Sequence, residues 1–296
     1  MTDALFDTAT PARRAARGTW RRVLRQPGAF IPLAVLALLL VIAAVPALFA
    51  GIFGNGDPRV CDLGNSIKGP EAGHPFGFDV QGCDVYANVI YGTQSSIIVG
   101  VLTTVLALAL AVTLGTIAGT RGGWADALIS RLTDVFLGFP FLLGAIVVLN
   151  SVPERNVVTV SLVLALFSWP LLARLVRSSV RGVSQTEYVL AARTMGLGWW
   201  RVVTKYILPN SLAPVMVVAT IMIGSVIVSE SSLTYLGIGL QSPAISWGLQ
   251  LASAQSKFQL APHLLIFPSL FLAVTVLAMI ALGDNLRAAF DPHRRA

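Results

Sequence analysis

The chain has 296 residues, of which 55% are hydrophobic and only 12% are charged, with a formal net charge of +7 and a mean hydropathy of +0.75. Soluble globular domains carry about 25% charged residues, so this composition excludes an ordinary water-soluble protein. The excess of basic residues reflects membrane topology and contact with anionic lipid, and it does not indicate nucleic-acid binding.

Six stretches without Asp, Glu, Lys or Arg are each long enough to cross a bilayer, because about 20 apolar residues in a helix span its ~30 Å core. Lipid offers no partner for backbone polar groups, and the runs lack the alternation of barrel strands. We therefore predict an all-α integral membrane protein with six transmembrane helices, at 30–52 (TM1), 93–118, 133–152, 157–176, 207–229 and 263–283. A seventh charge-free stretch, 231–256, is too rich in Ser and Gln for a span, and we expect it to fold back onto the bundle.

Lys and Arg orient the six helices. With the N-terminus in the cytoplasm, 17 of the 21 basic residues fall inside and four fall outside, as the positive-inside rule requires. The first apolar run is longer than the 7–15 residues of a signal-peptide core, so we take it as an uncleaved span. The resulting division has a basic cytoplasmic tail at 1–29, an extracytoplasmic loop at 53–92, a five-helix core at 93–283 and a cytoplasmic tail at 284–296. The core includes a cytoplasmic segment at 177–206 and an extracytoplasmic segment at 230–262.

Local features follow along the first half of the chain. Cys61 and Cys83 are the only cysteines and lie in the same outer loop, where they either form a disulfide or remain two free thiols. Gly115 and Gly119 have the G-x-x-x-G spacing that lets a second helix approach closely. Asp134 lies near the start of the third span, either as an acid that complements the helix dipole or as a functional charge.

The segment between the fourth and fifth spans predicts a short helix. Ser184 followed by Glu187 has the spacing of a capping box, and Gly196 can adopt the left-handed conformation that ends a helix. One side of this 184–196 helix presents Tyr188, Ala191, Ala192 and Met195. So short a helix is not stable alone in water, so it docks either on its own membrane domain or in a groove of a partner protein.

This segment resembles the EAA loop of ABC importer permeases, with Ala191-Ala192, three residues, Gly196 and then Ile207-Leu208-Pro209. The form E-Y-V-x-A-A-R-x-x-G, running from Glu187 to Gly196, is typical of the dipeptide/oligopeptide/nickel permease family. Leu190 stands where the EAA triad would carry Glu.

Other parts of the chain are similar to the C-type subunit of that family, from about residue 20 to residue 292. The run His74–Asp79 with Gly82 and Asp84 matches its outer-loop signature, with Cys83 in place of the usual Arg, which favours pairing with Cys61. Further matches are Tyr91-Gly92-Thr93, Asp134, Phe139-Pro140, Ala173–Arg177, Glu230, Leu236-Gly237 with Gly239, and Ser246-Trp247-Gly248.

The resemblance implies a type I ABC importer transmembrane domain in a bacterial cell membrane. Such a permease subunit forms, with a homologous permease, the path for di- or oligopeptides that an extracytoplasmic binding protein delivers. The residues expected to couple to the ATPase are Glu187, Tyr188, Ala191, Ala192, Arg193, Gly196 and Pro209. Those expected at the outer gate or pathway are Glu230, Trp247 and Gly248.

The sequence contains no Gly-Lys dipeptide, so it cannot contain a Walker A loop. We therefore expect no catalytic activity, cofactor or metal on this chain. ATP and Mg²⁺ are expected on two separate ATP-binding subunits or on one fused ATPase.

Three alternatives remain at this stage. Within the family, the substrate could be nickel or a nickel chelate. From other classes, a secondary transporter or channel would need charges near the membrane midplane, and a membrane enzyme would need a converging catalytic set. His74, His263 and His293 fall in different compartments, and the charged residues lie at span ends.

Overall fold

The computed structural model describes residues 27–54 and 56–290, and within these ranges the fold is helical, with β-structure limited to isolated bridges. The basic tail predicted at 1–29 lies outside the described residues up to residue 26. The tail predicted at 284–296 lies outside them from residue 291.

Eleven α-helices occur in the described part of the chain, and a π-helical turn joins the eighth to the ninth. In order they are α1 Pro27–Ala44, α2 Pro46–Ala50, α3 Val85–Arg121, α4 Gly123–Gly138, α5 Phe141–Asn150, α6 Val157–Ser184, α7 Glu187–Thr194, α8 Trp199–Val202, α9 Leu208–Tyr235, α10 Trp247–Ala254 and α11 His263–Phe290. The π-helical turn is Val203–Ile207, so α8 and α9 form one helical run.

Four helices are long and apolar enough to cross a membrane: α3, α6, the run Trp199–Tyr235 and α11. The pair α4 and α5 is a fifth candidate, bent by 85° at its break, and α1 is apolar but shorter, with 18 residues. Each of the six predicted spans overlaps one of these six elements, of which four helices, or five with the bent pair counted as one, are candidate spans by length and composition alone. The all-α membrane fold class is thereby confirmed.

Prolines explain the breaks within the first and third predicted spans. A residue that precedes proline is driven out of the helical region, because the proline ring collides with its backbone. Phe139, before Pro140, is extended with φ −89° and ψ 134°, and this residue separates α4 from α5. Val45, before Pro46, separates α1 from α2 in the same way.

The centre of the fold is the close packing of α3 against α6. A methyl group added at Gly115 would lie 2.8 Å from the carbonyl oxygen of Ala173 and from Cβ of Val176, and one at Gly119 would lie 2.8 Å from Val180. Such distances are shorter than any normal van der Waals contact. The close approach predicted from the G-x-x-x-G spacing is confirmed, and α6 is the partner.

Several helices begin or end elsewhere than predicted. Residues 85–92, expected in the outer loop, form the first two turns of α3, because Asp84 caps the helix by accepting a hydrogen bond from the Tyr86 N–H at 2.8 Å. Residues 230–235, expected at the start of a loop, complete α9, and α10 lies inside the predicted loop 230–262.

Asp134 does not begin a helix, so its interpretation as an N-terminal acid is wrong. It lies in the second half of α4 and accepts a hydrogen bond from Arg174 on α6 at 2.5 Å. The acid in the first turn of α4 is Asp126, whose two carboxyl oxygens both accept hydrogen bonds from Arg177. Two parallel ion pairs therefore tie α4 to α6.

Candidate functional site

The short helix between the fourth and fifth spans is α7, and it has two turns instead of the predicted three. The capping-box prediction is wrong, because α6 continues through Ser184 and the N-cap of α7 is Thr186. The hydroxyl of Thr186 donates to the Val183 carbonyl oxygen at 2.7 Å and so does not cap the helix. Glu187 thus opens α7 as its first-turn acid, where it complements the helix dipole.

One side of α7 is fixed to the membrane domain. Val189 and Ala192 are fully buried, in the same hydrophobic cluster as Val180 of α6 and Val202 and Val203 at the start of the next span. This packing attaches α7 to the ends of the two long helices.

The opposite side of α7 presents apolar side chains to its surroundings. Tyr188 is 45% exposed, Leu190 48% and Met195 72%, and Ala191 and Arg193 are exposed between them. Of the four residues predicted to share one side, Ala192 faces the protein and the other three face outward. An anchored helix with an unpartnered apolar side can act as a rigid docking element.

Gly196 ends α7 with a Schellman motif, as its sequence position predicted. Its φ is +77°, and its N–H donates to the Arg193 carbonyl while the Leu197 N–H donates to the Ala192 carbonyl. Nothing lies within 4 Å of a methyl group built at Gly196, so the requirement for glycine there is conformational and not steric.

Pro209 lies just beyond the π-helical turn that joins α8 to α9. Proline has no N–H to donate and its ring clashes with the carbonyl one turn earlier, so the helix widens before it. The widened turn is Val203–Ile207, closed by the Leu208 N–H donating to the Val203 carbonyl. The run nevertheless continues without a break to Tyr235.

At the far end of the same run, Glu230 is completely buried. Its carboxyl oxygens accept hydrogen bonds from the hydroxyls of Thr234 at 2.8 Å, Ser231 at 3.2 Å and Ser246 at 3.3 Å. Ser246 is the N-cap of α10, and Thr234 accepts from the Leu240 N–H. Glu230 therefore joins α9 to the loop that follows it and to α10.

Trp247 and Gly248 begin α10 and fit it between α3 and α9. The Trp247 indole is fully buried and its Nε1–H donates to the Val89 carbonyl at 3.1 Å. A methyl group at Gly248 would lie 2.8 Å from Thr234 and 2.9 Å from Cα of Ser231. The structure brings together the three residues predicted at the outer gate, but neither Glu230 nor Trp247 has a free surface.

The outer loop is fixed by a disulfide between Cys61 and Cys83, with the two sulfur atoms 2.01 Å apart. Cys83 precedes the Asp84 cap, so the disulfide holds the loop against the start of α3. Burial raises the pKa of the nearby Asp79 above its ordinary value, although the N–H groups of Cys83, Gln81 and Gly82 oppose the shift.

The contacts that α3 makes with Trp247 and Gln250 of α10 were not predicted from the sequence. Ser96 accepts from the Trp247 N–H at 3.3 Å, and the Gln250 side chain donates to the Asn88 carbonyl at 2.7 Å. A methyl group at Gly92 would lie 2.8 Å from Gln250. Gly92 and Ser96 are four residues apart, a spacing of small residues that favours close helix packing and could have indicated this contact.

The sequence of this chain is similar to those of known transport permeases. Residues 111–296 match the family model described as "Binding-protein-dependent transport system inner membrane component". The glutathione transport system permease protein GsiD of Pectobacterium atrosepticum is 37% identical over 93% of this chain and 90% of its own length. The dipeptide transport system permease protein DppC of Alkalihalophilus pseudofirmus is 35% identical over 89% and 87%.

Among solved structures, the fold is similar to that of the MetNI methionine ABC transporter in inward-facing conformations. The TM-score is 0.55 at 18% sequence identity, and the match covers 69% of this chain and 96% of the other. The fold thus agrees with a type I ABC importer transmembrane domain. With the family model matching more than half of the sequence, the chain belongs to the family of binding-protein-dependent transport system inner membrane components.

Proposed function

We propose that this chain is a non-catalytic permease subunit of an ATP-driven importer of di- or oligopeptides, and that it pairs with a homologous permease. Two relatives aligned over most of their length are named as permeases for glutathione, itself a small peptide, and for dipeptides. A path with few charged side chains suits peptides of varied sequence. Selection among peptides would then rest with an extracytoplasmic binding protein.

The observation that carries the proposal is the two-sided character of α7. Val189 and Ala192 attach it to the ends of two long helices, while Tyr188, Leu190 and Met195 remain exposed. A mobile ATPase that bound the exposed side would pull on those helices directly. ATP and Mg²⁺ belong on that partner, as two subunits or one fused protein, because this sequence has no Gly-Lys dipeptide with which to build a Walker A loop.

The movement follows from the connection of α7 to the run Trp199–Tyr235. Closure of the ATPase on its nucleotide would rock α7 and this run as a rigid body, the common form of two-state change between packed domains. Glu230 lies at the other end of the run and holds α10 through Ser246. In this mechanism Glu230, Trp247 and Gly248 position the outer gate by packing, and the peptide passes along other surfaces.

The docking proposal is tested with arginine substitutions in the assembled transporter, reconstituted in proteoliposomes with its binding protein. Tyr188→Arg and Met195→Arg place a charge on the exposed side of α7. Gln185→Arg, in the turn before α7, is the matched control. ATP hydrolysis and the uptake of labelled dipeptide, glutathione and nickel are measured together.

We expect the two α7 variants to lose peptide uptake and the stimulation of ATP hydrolysis by loaded binding protein, while the control keeps both. Normal uptake in both α7 variants would refute the docking role. Uptake of nickel without uptake of peptides by the unmodified transporter would refute the substrate class while leaving the docking role intact.

The predicted orientation is tested separately with single cysteines. Met195→Cys lies at the end of α7, and Leu63→Cys lies in the outer loop with a 77% exposed side chain. A membrane-impermeant maleimide should label the first only in inside-out vesicles and the second only in right-side-out vesicles. The reverse pattern would invert the proposed topology.

A further inference from the structure

A cavity of about 310 Å³ opens at the end of α3, beside the beginning of α8. Its walls include Val112, Thr116 and Ile117 from α3, and Trp199 and Trp200 from α8. Arg121, the last residue of α3, stands at one end of it, with its guanidinium carbon 5.0 Å from the centre of the Trp199 ring. The cavity lies outside both the α7 docking side and the Glu230 cluster.

Two buried polar groups of the residues that line this cavity have no hydrogen-bond partner, whereas the hydroxyls of Thr113 and Thr204 donate to backbone carbonyls of their own helical runs. Thr116 is 6% exposed and its hydroxyl oxygen has no hydrogen-bond partner, and the buried indole N–H of Trp199 has none either. Within the described ranges, Arg121 forms no ion pair with a carboxylate. A buried unpaired donor costs about 1–3 kcal/mol, so a ligand that brings acceptor oxygens and negative charge would be stabilised here.

The remainder of the cavity lining is mostly apolar, and one of its walls belongs to α3, a candidate membrane span. Residues 85–120 of α3 carry no charged side chain, and Arg121 is the first cation at the end of this candidate span. With α3 as a membrane span, Val112 would lie at the level of the hydrocarbon and Arg121 at the membrane boundary. Trp200 is exposed at the same end, as tryptophan commonly is where a protein crosses the membrane surface.

The cation and the hydrogen-bond donors lie at the membrane boundary, and an apolar groove continues from them. These two features match the charged head and the apolar tail of a single ligand. We propose that this cavity binds an anionic phospholipid, with the phosphate at Arg121 and Thr116 and an acyl chain along Val112 and Ile117. The proposal depends on membrane insertion and is independent of the peptide substrate and of α7 docking.

The test uses the full chain, purified with the proteins with which it assembles, and native mass spectrometry during titration with phosphatidylglycerol. Arg121→Gln removes the cation, and Thr204→Trp fills the cavity from an exposed position in its wall. Arg131→Gln is the matched control, because Arg131 is an exposed arginine of α4 that does not line the cavity. Phosphatidylcholine and glycerol phosphate are titrated in parallel.

We expect Arg121→Gln to weaken phosphatidylglycerol binding roughly fivefold, the effect of one basic side chain at an anionic membrane surface, and Thr204→Trp to weaken it at least as much. Arg131→Gln should leave it unchanged, and phosphatidylcholine should bind less tightly to the unmodified protein. Equal losses in all three variants, or none in the two cavity variants, would overturn the proposal. Competition by glycerol phosphate as strong as by the lipid would overturn the assignment to a membrane lipid.

Discussion

Removal of the Glu230 carboxyl group should loosen the contact between α9 and α10. The carboxyl accepts three hydroxyl hydrogen bonds, from Thr234, Ser231 and Ser246, and its side chain is fully buried. Glu230→Ala removes both acceptor oxygens, and with them all three hydrogen bonds, and leaves a cavity. A hydrogen bond between neutral groups contributes about 0.5–1.5 kcal/mol, and one to a charged group about 1.5–3 kcal/mol.

Part of that loss is recovered, so the net cost is smaller than the sum. Ser231 and Thr234 can turn their hydroxyls to backbone carbonyls one turn earlier in α9, as helical Ser and Thr often do. Ser246 is the N-cap of α10 and has no preceding helical turn whose carbonyls could replace Glu230 as the acceptor. We therefore expect Glu230→Ala to destabilise the protein by about 2–4 kcal/mol, from the lost acceptors and the cavity.

Glu230→Gln keeps the size and shape of the side chain while it replaces one carboxyl oxygen by an amide. Glutamine keeps one carbonyl oxygen as an acceptor for Thr234 and Ser246, so we expect a cost of about 1 kcal/mol. Ser229→Ala is the control, because the Ser229 hydroxyl bonds only to the Ser225 carbonyl of its own helix. Thermal unfolding of the purified assembled transporter, followed by loss of its gel-filtration peak, measures the order. If Glu230→Ala were as stable as Ser229→Ala, the role of Glu230 as the link to α10 would be refuted.

Three further changes test other parts of the structure. Gly115→Ala should lower the unfolding temperature by several degrees, because its methyl group would lie 2.8 Å from α6 and overpacking costs about 1–3 kcal/mol. Gly182→Ala is the control and should not lower it, because there is open space around Gly182. Equal effects of the two substitutions would contradict the close packing of α3 against α6. Gly196→Val should reduce uptake per ATP hydrolysed, because φ is +77° at this position and valine cannot adopt that conformation without strain. Gly198→Val is the control and should transport normally, because φ is −59° there. Normal coupling in both variants would contradict the role of the turn at Gly196. Asp79→Asn should become more stable relative to the unmodified protein as the pH rises from 4 to 7. The raised pKa means that the folded state holds the proton more tightly than the unfolded state, so stability is lost above the unfolded value of about 3.9. An opposite trend in thermal unfolding would show that the backbone donors outweigh burial.

The sequence predicted which stretches are helical better than where each helix begins. Lipid requires about 20 apolar residues in a helix, so the charge-free stretches located α3, α6, α9 and α11. The start of α3 was misplaced because Gly92 and the polar residues before it resemble a loop. Asp84, eight residues before Gly92, could have indicated the true start of α3, because its carboxylate caps the helix.

Sequence rules for helix ends predicted correctly where the outcome depends on the backbone conformation of a single residue. Gly196 ends α7 because a left-handed residue is required there, and this requirement depends on its immediate neighbours alone. The capping box at Ser184 failed because two competing structures use the same residues. Packing extends α6 through Ser184, whose side chain is buried, and the start of α7 moves to Thr186.

The contacts around Glu230 and Trp247 could not be predicted from a single sequence. Glu230 and Ser246 are 16 residues apart, and the hydrogen bond between them depends on a loop that reverses the chain. Val89 and Trp247 are 158 residues apart and meet only because α3, α9 and α10 pack together. The composition of 231–256 indicated a segment folded onto the bundle, but the contacts that hold it are long-range.

One helical run connects the two parts of the candidate site. Trp199–Tyr235 has 37 residues and is roughly 55 Å long at 1.5 Å per residue, which exceeds the ~30 Å hydrocarbon core. Val202 and Val203 near its start share a hydrophobic cluster with α7, and Glu230 near its end holds the cap of α10. In the proposed mechanism a rigid rotation of this run would displace both ends together, so that a force on α7 would reach the packing around Trp247 through this run. The π-helical turn Val203–Ile207 lies between Val202 and Glu230, so this transmission requires the turn to stay rigid while the run rotates.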